Sequence, residues 1–396
     1  MKRVLVLLLA AAAVAVPAAL AADPGVTSKQ IVLGGTAPLS GPAVLFSSVA
    51  RGANAYFQYV NRQGGVNGRT ILYKVLDDQY SVPLTVQMTK QLVEQDKVFA
   101  LFNSVGTPNG LAVEGYLNAA GVPQLFQGSG TSSLATPAHR WSMGFLPGFV
   151  GEGRVYGRYI AAHQPGAKIA VVYENNEFGT DELAGLRQGL GAKASQIVDA
   201  EPYELTDTNL ESQISKLKAT GADTLMVFAT PQFAILSYAA AHKLGWAPHY
   251  YLSFVSPSPN VMDIIRATAG KEANGTISLA FVKDPTNVKL WGKDPAIALY
   301  KKVLKCCLKG GKYADVYNYF GMSVAYTMVD ALRHAGKNPT RASLMAAAAH
   351  LNETNPFLLP GIKVKTSASD YQPIQQAQLI RYENGLWNPF GKLVGT

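Results

Sequence analysis

Residues 98–130 read VFALFNSVGTPNGLAVEGYLNAAGVPQLFQGSG, and the order of elements in this stretch decides the fold class. Residues 98–102 form a short apolar run that predicts a buried strand, residues 108–120 predict a helix, and residues 123–126 predict the next strand. Strands separated by a helix of this length are typical of right-handed βαβ units, which build a parallel sheet.

The same alternation continues on both sides of this stretch. Further strands are predicted at residues 30–36, 69–76, 168–173, 195–203, 224–228 and 276–282, and further helices at residues 47–61, 83–95, 180–189, 210–220 and 231–244. The Gly/Pro-rich residues 144–153 separate two series, which predicts two doubly wound α/β lobes. Beyond residue 275 we expect helices at 294–308, 316–335 and 340–349, then a hairpin turning at Asn384-Gly385.

The first residues are typical of a secretory signal. Lys2 and Arg3 precede an apolar run at residues 4–16, Pro17 breaks it, and residues 19–21 (ALA) offer a cleavage site near Ala21. An uncleaved anchor helix is the alternative. We therefore expect a chain secreted into the periplasm.

Composition excludes several classes of function. The chain of 396 residues is 48% apolar and 15% charged, which favours large buried cores over disorder. Its net charge of +9 falls to +7 without the two charges of Lys2 and Arg3, and it is spread out. A mildly basic surface favours anionic solutes and does not predict nucleic-acid binding.

No enzyme is predicted. The six histidines are scattered without HExxH spacing, and no GxSxG nucleophile elbow occurs. Asp77 and Asp78 offer paired carboxylates, but capping is the commoner role for such residues after a strand. We expect no catalytic residue, metal or cofactor.

The only cysteines are the neighbours Cys306 and Cys307. A disulfide between sequence neighbours is strained and rare, so two structural thiols on one helix are the favoured interpretation. A vicinal disulfide is the alternative.

The stretch GTPNG at residues 106–110 is the first candidate binding site. Thr107 suits the N-cap and Pro108 suits the first helical position. The N–H groups of a helix start are unpaired and carry partial positive charge, so at the carboxyl edge of a sheet they bind an anion. A plain helix cap without a ligand is the alternative.

Other strand ends carry further candidates. The stretch GSGTSS at residues 128–133 has glycine N–H groups and hydroxyls but neither nucleotide-binding glycine motif, and an ordinary surface loop is its alternative. Ser40 follows the first strand, and Phe178 occupies the equivalent place in the second series. Such side chains predict a small-molecule cleft between the lobes.

The order of these pieces resembles the branched-chain amino acid-binding family of periplasmic solute-binding proteins. The resemblance rests on residues 38–42 (PLSGP), 61–69 (NRQGGVNGR), 77–78 (DD), 106–108 (GTP), 177–179 (EFG) and 370–374 (DYQPI), with the C-terminal hairpin. It implies a type I periplasmic binding protein fold, in which two doubly wound lobes joined by three crossover strands close by hinge motion. It also implies an N-terminal lobe of residues 22–147 and 278–376, and a C-terminal lobe of residues 148–277 and 377–396.

The resemblance implies the site residues as well. A hydroxyl at a helix start and the following glycine-rich loop hold the ligand carboxylate in the family, and aromatic side chains wall the ligand. The positions that match are Thr107, Gly128, Ser129, Gly130, Ser40, Phe46, Phe178, Phe254 and, more loosely, Tyr319.

One departure from the family concerns the ligand's ammonium. Amino-acid-binding members place an acid after a second-lobe strand, where residues 252–258 here read LSFVSPS. This difference favours an aromatic or branched organic acid, whereas Glu174 or Glu177 could restore amino-acid binding. The implied partners are the small carboxylate and the membrane subunits of an ABC permease, with the chain a monomer. A free-standing sensor and a secreted enzyme are the rivals.

Overall fold

The first sheet is parallel throughout in the computed structural model, which describes residues 23–396. The signal segment predicted at residues 1–21 lies outside the described residues. The five strands run in the order β2-β1-β3-β4-β5. They are β1 (Gln30–Ala37), β2 (Thr70–Asp77), β3 (Ala100–Phe102), β4 (Gln124–Gln127) and β5 (Ser142–Gly144).

Three helices connect the first four strands. They are α1 (Ser47–Asn61), α2 (Val82–Lys90) and α3 (Thr107–Ala120). The last of these ends at Gly121, whose left-handed backbone (φ 60°) stops the helix without a Cβ penalty.

The second series begins with α4 (Phe149–His163). It continues through β6 (Ile169–Glu174), α5 (Glu177–Leu190), β7 (Ile197–Tyr203), α6 (Glu211–Ala219), β8 (Thr224–Phe228), α7 (Pro231–Lys243), β9 (His249–Leu252), α8 (Pro259–Ala269) and β10 (Ile277–Ala280). These five strands are parallel to one another and form most of a second sheet.

The remaining elements return to both lobes. They are α9 (Val288–Trp291), α10 (Pro295–Cys307), α11 (Val316–His334), α12 (Arg341–Ala348), β11 (Asn352–Glu353), β12 (Val364–Lys365), β13 (Gln376–Glu383) and β14 (Leu386–Gly395). Helices α10 and α11 pack on α1, whereas β13 and β14 extend the second sheet to the order β14-β13-β10-β9-β8-β6-β7. The chain therefore crosses between the lobes after β5, after β10 and before β13, and the predicted fold class is confirmed.

The Gly/Pro-rich residues 144–153 predict a break between the two series, but α4 begins within this stretch, at Phe149. Its glycines serve close packing on α5. A Cβ on Gly153 would lie 2.0 Å from the carbonyl oxygen of Glu182, and one on Gly185 would lie 2.1 Å from that of Val150. Glycine lowers helix propensity. The local sequence therefore did not predict this helix, because the glycines that its packing on α5 requires weaken the helix signal.

The lobe boundaries at residues 147/148, 277/278 and 376/377 remain proposals. The first falls between β5 and α4. The second falls inside β10, whose four residues all belong to a strand of the second sheet, and the third falls one residue into β13.

Cys306 and Cys307 end α10 and are joined as a disulfide. The structure therefore has the vicinal disulfide that the sequence analysis kept as the alternative to two free thiols.

Candidate functional site

A large apolar cleft lies between the lobes, with a volume of about 1160 Å³ when the space open to solvent is counted. Both lobes and the crossover segments contribute to its walls. The lining residues include Phe46, Tyr80, Gly106, Thr107, Gly128, Tyr317 and Phe320, then Phe149, Phe178, Thr230 and Phe254, and finally Leu279, Phe281, Lys283, Asp284, Trp387 and Pro389. Of the described residues that line the cleft, Lys283 and Asp284 alone bear charged side chains.

The start of α3 faces this cleft. Gly106 and Thr107 both line it, and no side chain of residues 23–396 caps the helix. The first N–H groups of an α-helix have no intrahelical partner and lie at the positive end of its dipole. Gly106 has φ 112°, which a residue with a Cβ rarely adopts, and a Cβ there would lie 2.3 Å from Asn109 Oδ1. The cleft thus holds a site suited to an oxyanion.

A buried hydrogen-bond network fixes this helix start. Gln127 Nε2 donates to the Gly106 carbonyl oxygen at 2.8 Å. Asn109 Nδ2 donates to Thr85 Oγ1 at 2.7 Å, and that hydroxyl donates to Asp78 Oδ2 at 2.8 Å. Burial raises the pKa of Asp78, while the hydrogen bonds from Thr85 and Tyr80 oppose the increase. Asp78 therefore holds the start of α3 in place through Thr85 and Asn109, and it does not itself line the cleft.

The glycine-rich loop after β4 supports Thr107 from one side. Ser129 is fully buried, and its Oγ lies 2.8 Å from Thr107 Oγ1. The N–H of Gly128 donates to the Ser104 carbonyl and that of Ser129 to the Gln127 carbonyl. Gly128 lines the cleft, but these two N–H groups are already used within the protein.

Four predicted residues lie outside the cleft lining: Ser129, Gly130, Ser40 and Tyr319. Gly130 packs on the first crossover, where a Cβ would lie 2.1 Å from the Pro147 carbonyl oxygen. Ser40 is exposed and donates to Asp77 Oδ2 at 2.6 Å. Tyr319 is fully buried and packs edge-on against Tyr300 and Phe357.

Aromatic rings form walls on both sides. In the second lobe the ring of Phe149 lies 4.9 Å from that of Phe178 and 5.7 Å from that of Phe254, centroid to centroid. In the first lobe Phe46 meets Tyr317 edge-on at 5.2 Å. Phe46, Phe178 and Phe254 all line the cleft, and their contact with a ligand stays a prediction.

Two fully buried carboxyl groups lie behind the second-lobe wall. The Phe254 N–H donates to Glu152 Oε1 at 2.7 Å, and Ser253 Oγ donates to Glu182 Oε1 at 2.5 Å. Burial raises the pKa of Glu152 to about 7. Burial and the neighbouring Glu152 raise the pKa of Glu182 well above its ordinary value. Both carboxyl groups therefore bind protons more tightly than exposed carboxyl groups do, close to the wall that carries Phe254.

Glu174, one of the two acids considered for an ammonium, is buried at the end of β6. Its Oε2 accepts from Tyr203 Oη at 2.8 Å and its Oε1 from Asn176 Nδ2 at 2.5 Å. Burial raises its pKa to about 6. Both oxygens are occupied by protein donors, and Glu177 is exposed on α5.

The crossover segments bring residues to the cleft that local sequence patterns did not indicate. Lys283 and Asp284 follow β10, and Trp387 lies in β14, more than a hundred positions along the chain. Tyr317 also lines the cleft, two residues before the expected Tyr319. The sequence alone did not indicate which face of α11 lines the cleft.

Within residues 23–396, no helix is both long and apolar enough to cross a membrane. In the same range, no three His, Cys, Asp or Glu side chains are grouped as metal ligands.

Curated relatives are similar to this sequence over different lengths. The chain spans 60% of the length of "Leu/Ile/Val-binding protein homolog 7" of Brucella abortus (strain 2308), with 24% identity over 240 residues, or 58% of the chain. It spans 87% of "Leu/Ile/Val-binding protein homolog 1" of Brucella melitensis biotype 1, with 24% identity over 86% of the chain.

Solved structures share the fold. A branched chain amino acid ABC transporter protein from Thermus thermophilus with bound valine has a TM-score of 0.80 at 18% identity, covering 93% of this chain and 97% of its own. A fatty acid ABC transporter substrate-binding protein from Thermomonospora curvata has a TM-score of 0.77 at 22% identity, covering 95% of each chain. The sequence profile of the periplasmic binding proteins matches residues 30–386. The chain therefore belongs to the periplasmic binding protein family.

Proposed function

We propose that this chain is the solute-binding subunit of an ABC importer, and that it captures a small apolar carboxylate, aromatic or branched, in the cleft between its lobes. The observation that carries the proposal is the uncapped start of α3 facing an apolar cleft. The chain works as a secreted periplasmic monomer that passes its ligand to the permease.

The carboxylate lies on the N–H groups at the start of α3, beside the Thr107 hydroxyl. Thr107 is 2% exposed, so a charge bound there is largely removed from water. Hydrogen bonds to an ionised group contribute more than neutral ones, about 1.5–3 kcal/mol each. The helix dipole adds to this preference for an anion.

The body of the ligand contacts Phe46 and Tyr317 from one lobe and Phe178 and Phe254 from the other. Aromatic walls favour a flat or branched apolar body, because they bury large areas and pair edge-to-face with other rings. The structural neighbour described as a fatty acid ABC transporter substrate-binding protein supports an apolar acid as ligand.

The segment after β9 also favours an organic acid over an amino acid as the ligand. Its Ser253 hydroxyl is bonded to Glu182, and the Ser256 hydroxyl donates to the Ala229 carbonyl at 2.6 Å. Neither residue carries a charge, so this segment itself offers no carboxylate to an ammonium, and an ammonium buried without a counter-charge costs several kcal/mol.

A branched-chain or other amino acid is the second candidate. The names of the Leu/Ile/Val-binding relatives and the neighbour with bound valine favour it. Calorimetry with matched pairs separates the candidates: L-leucine against 4-methylpentanoate, and L-phenylalanine against 3-phenylpropanoate. We expect the acids that lack the amino group to bind more tightly. Tighter binding of the amino acids would reject the organic-acid proposal.

A free-standing sensor is the rival of a different class. The purified, ligand-loaded protein should co-purify with the ABC permease subunits of its own organism when these are expressed in membranes. Failure to bind any permease, together with ligand-dependent capture of a signalling receptor, would favour the sensor. Turnover of the bound carboxylate would favour an enzyme.

A further inference from the structure

Two cleft-lining residues carry polar atoms for which residues 23–396 provide no hydrogen-bond partner. These atoms are Oδ2 of Asp284 and Nε1 of Trp387, and both are buried. A buried polar atom without a partner is costly, and buried polar atoms in proteins are nearly always paired. Inside a ligand cleft, such atoms indicate a polar group that the ligand itself supplies.

The two residues belong to one wall of the cleft. Asp284 Oδ1 accepts from the N–H and the hydroxyl of Thr286, at 2.8 and 2.7 Å, which fixes the carboxylate, while Oδ2 has no partner in the described part of the chain. The Asn287 N–H donates to the Asp284 carbonyl at 3.2 Å. The Asn287 side chain then donates to the Trp387 carbonyl at 2.9 Å, which ties this turn to β14.

The neighbouring lysine is already neutralised by other groups. Lys283 Nζ donates to Asp294 Oδ2 and to the Pro356 carbonyl, both at 2.8 Å, and lies over the ring of Trp291. Its ammonium forms its ion pair with Asp294 and gives no hydrogen bond to Asp284. Asp284 therefore remains an acceptor for a donor from the ligand.

We propose that Asp284 and Trp387 form a second polar subsite in the cleft, which binds a hydroxyl group on the apolar body of the carboxylate ligand. This inference rests on the proposed function. A hydroxyl donates to Asp284 Oδ2 and accepts from Trp387 Nε1, and it is the smallest group that does both. An ammonium only donates and leaves Trp387 unpaired, whereas a second carboxylate only accepts and is repelled by Asp284. The ligand class is thus a hydroxylated aryl or alkyl carboxylic acid.

Matched probes test the subsite in the purified mature protein. Calorimetry compares 3-phenylpropanoate with 3-(4-hydroxyphenyl)propanoate, and octanoate with 8-hydroxyoctanoate and 8-aminooctanoate. We expect the hydroxylated member of at least one pair to bind roughly tenfold more tightly than its parent. Parents that bind as well as both hydroxylated members, or an amine that binds more tightly than the alcohol, overturn the subsite.

Variants separate this inference from the proposed function. In Asp284→Asn the amide oxygen still accepts from Thr286, while the amide nitrogen replaces Oδ2 and turns an acceptor into a donor. Both this variant and Trp387→Phe should abolish the preference for the hydroxyl, measured in each variant as the ratio of the affinity for the hydroxylated acid to the affinity for its parent. Tyr382→Phe is the matched control, since Tyr382 is a buried neighbour of Trp387 outside the cleft lining.

The outcomes are distinct. A hydroxyl preference that persists in both variants overturns the subsite while the carboxylate site stands. Thr107→Val should weaken the parent and hydroxylated acids by the same factor. If no carboxylate binds the wild-type protein, the proposed function fails and this inference fails with it.

Discussion

The hydroxyl of Tyr317, in α11 of the first lobe, donates a 3.0 Å hydrogen bond to the carbonyl oxygen of Val255, which follows β9 in the second lobe. Both residues line the cleft. The bond joins the two walls of the cleft in this structure.

Tyr317→Phe should favour the open arrangement, because closing then leaves the Val255 carbonyl without its donor. We expect ligand affinity to fall roughly five- to tenfold, mostly through faster dissociation, from the loss of one hydrogen bond of about 1 kcal/mol. Stopped-flow fluorescence measures the dissociation rate. Tyr326→Phe, on the same helix and outside the cleft lining, is the control. Equal dissociation rates in wild type and Tyr317→Phe would show that the bond does not hold the lobes.

Protein stability should decrease as the pH rises from about 4.5 through about 7. The folded state raises the pKa of Glu152 from its ordinary 4.5 to about 7 and that of Glu182 further, mainly by burial. A raised carboxyl pKa means that the folded state binds protons more tightly than the unfolded state, so stability is present at low pH and lost through this window. Thermal unfolding from pH 5 to pH 8 measures the loss.

Glu182→Gln should flatten this pH dependence and raise the melting temperature at pH 8, because the glutamine side chain stays uncharged at every pH in this range. Glu177→Gln, an exposed residue of the same helix, is the control and should leave the profile unchanged. The contribution of Glu174, whose pKa burial raises to about 6, remains in the variant. A profile of Glu182→Gln as steep as wild type would contradict the assignment of the buried pair.

Phe178→Leu should weaken aryl carboxylates selectively. Leucine keeps the wall apolar but removes the edge-to-face partner, a loss of about 0.5–1.5 kcal/mol for a ring and little for an alkyl chain. Calorimetry with 3-phenylpropanoate and octanoate gives the comparison. Phe233→Leu, buried in the same lobe against Tyr203 and outside the cleft lining, is the control. Equal losses for both acids would reject an aromatic-specific contact.

The sequence predicted the elements whose apolar periodicity is local. The strand at residues 224–228 and the helix at residues 47–61 match β8 and α1 in both bounds. Helix α4 was missed because its glycines, which weaken a helix locally, make backbone contact with α5 possible. Tertiary packing decided that segment.

Some residues of the candidate site are also indicated by local sequence, whereas others depend on tertiary packing. The sequence indicated Thr107 because strand, turn and helix start are contiguous there; Thr107 lines the cleft, and its role in binding stays a prediction. Tyr319 was expected at the cleft, but Tyr317 lies there, since residues two apart on a helix point about 200° apart. The wall formed by Asp284 and Trp387 depends on how two crossover segments meet, and no local pattern encodes that meeting.

In the proposed complex the ligand carboxylate lies on the start of α3 beside Thr107. Calorimetry of 3-phenylpropanoate binding to Thr107→Val tests this placement, with Thr107→Ser as the variant that keeps the hydroxyl. We predict a loss of roughly 10- to 100-fold in Thr107→Val, from one charge-assisted hydrogen bond of about 1.5–3 kcal/mol, and near wild-type affinity in Thr107→Ser. Unchanged affinity in Thr107→Val would contradict the account.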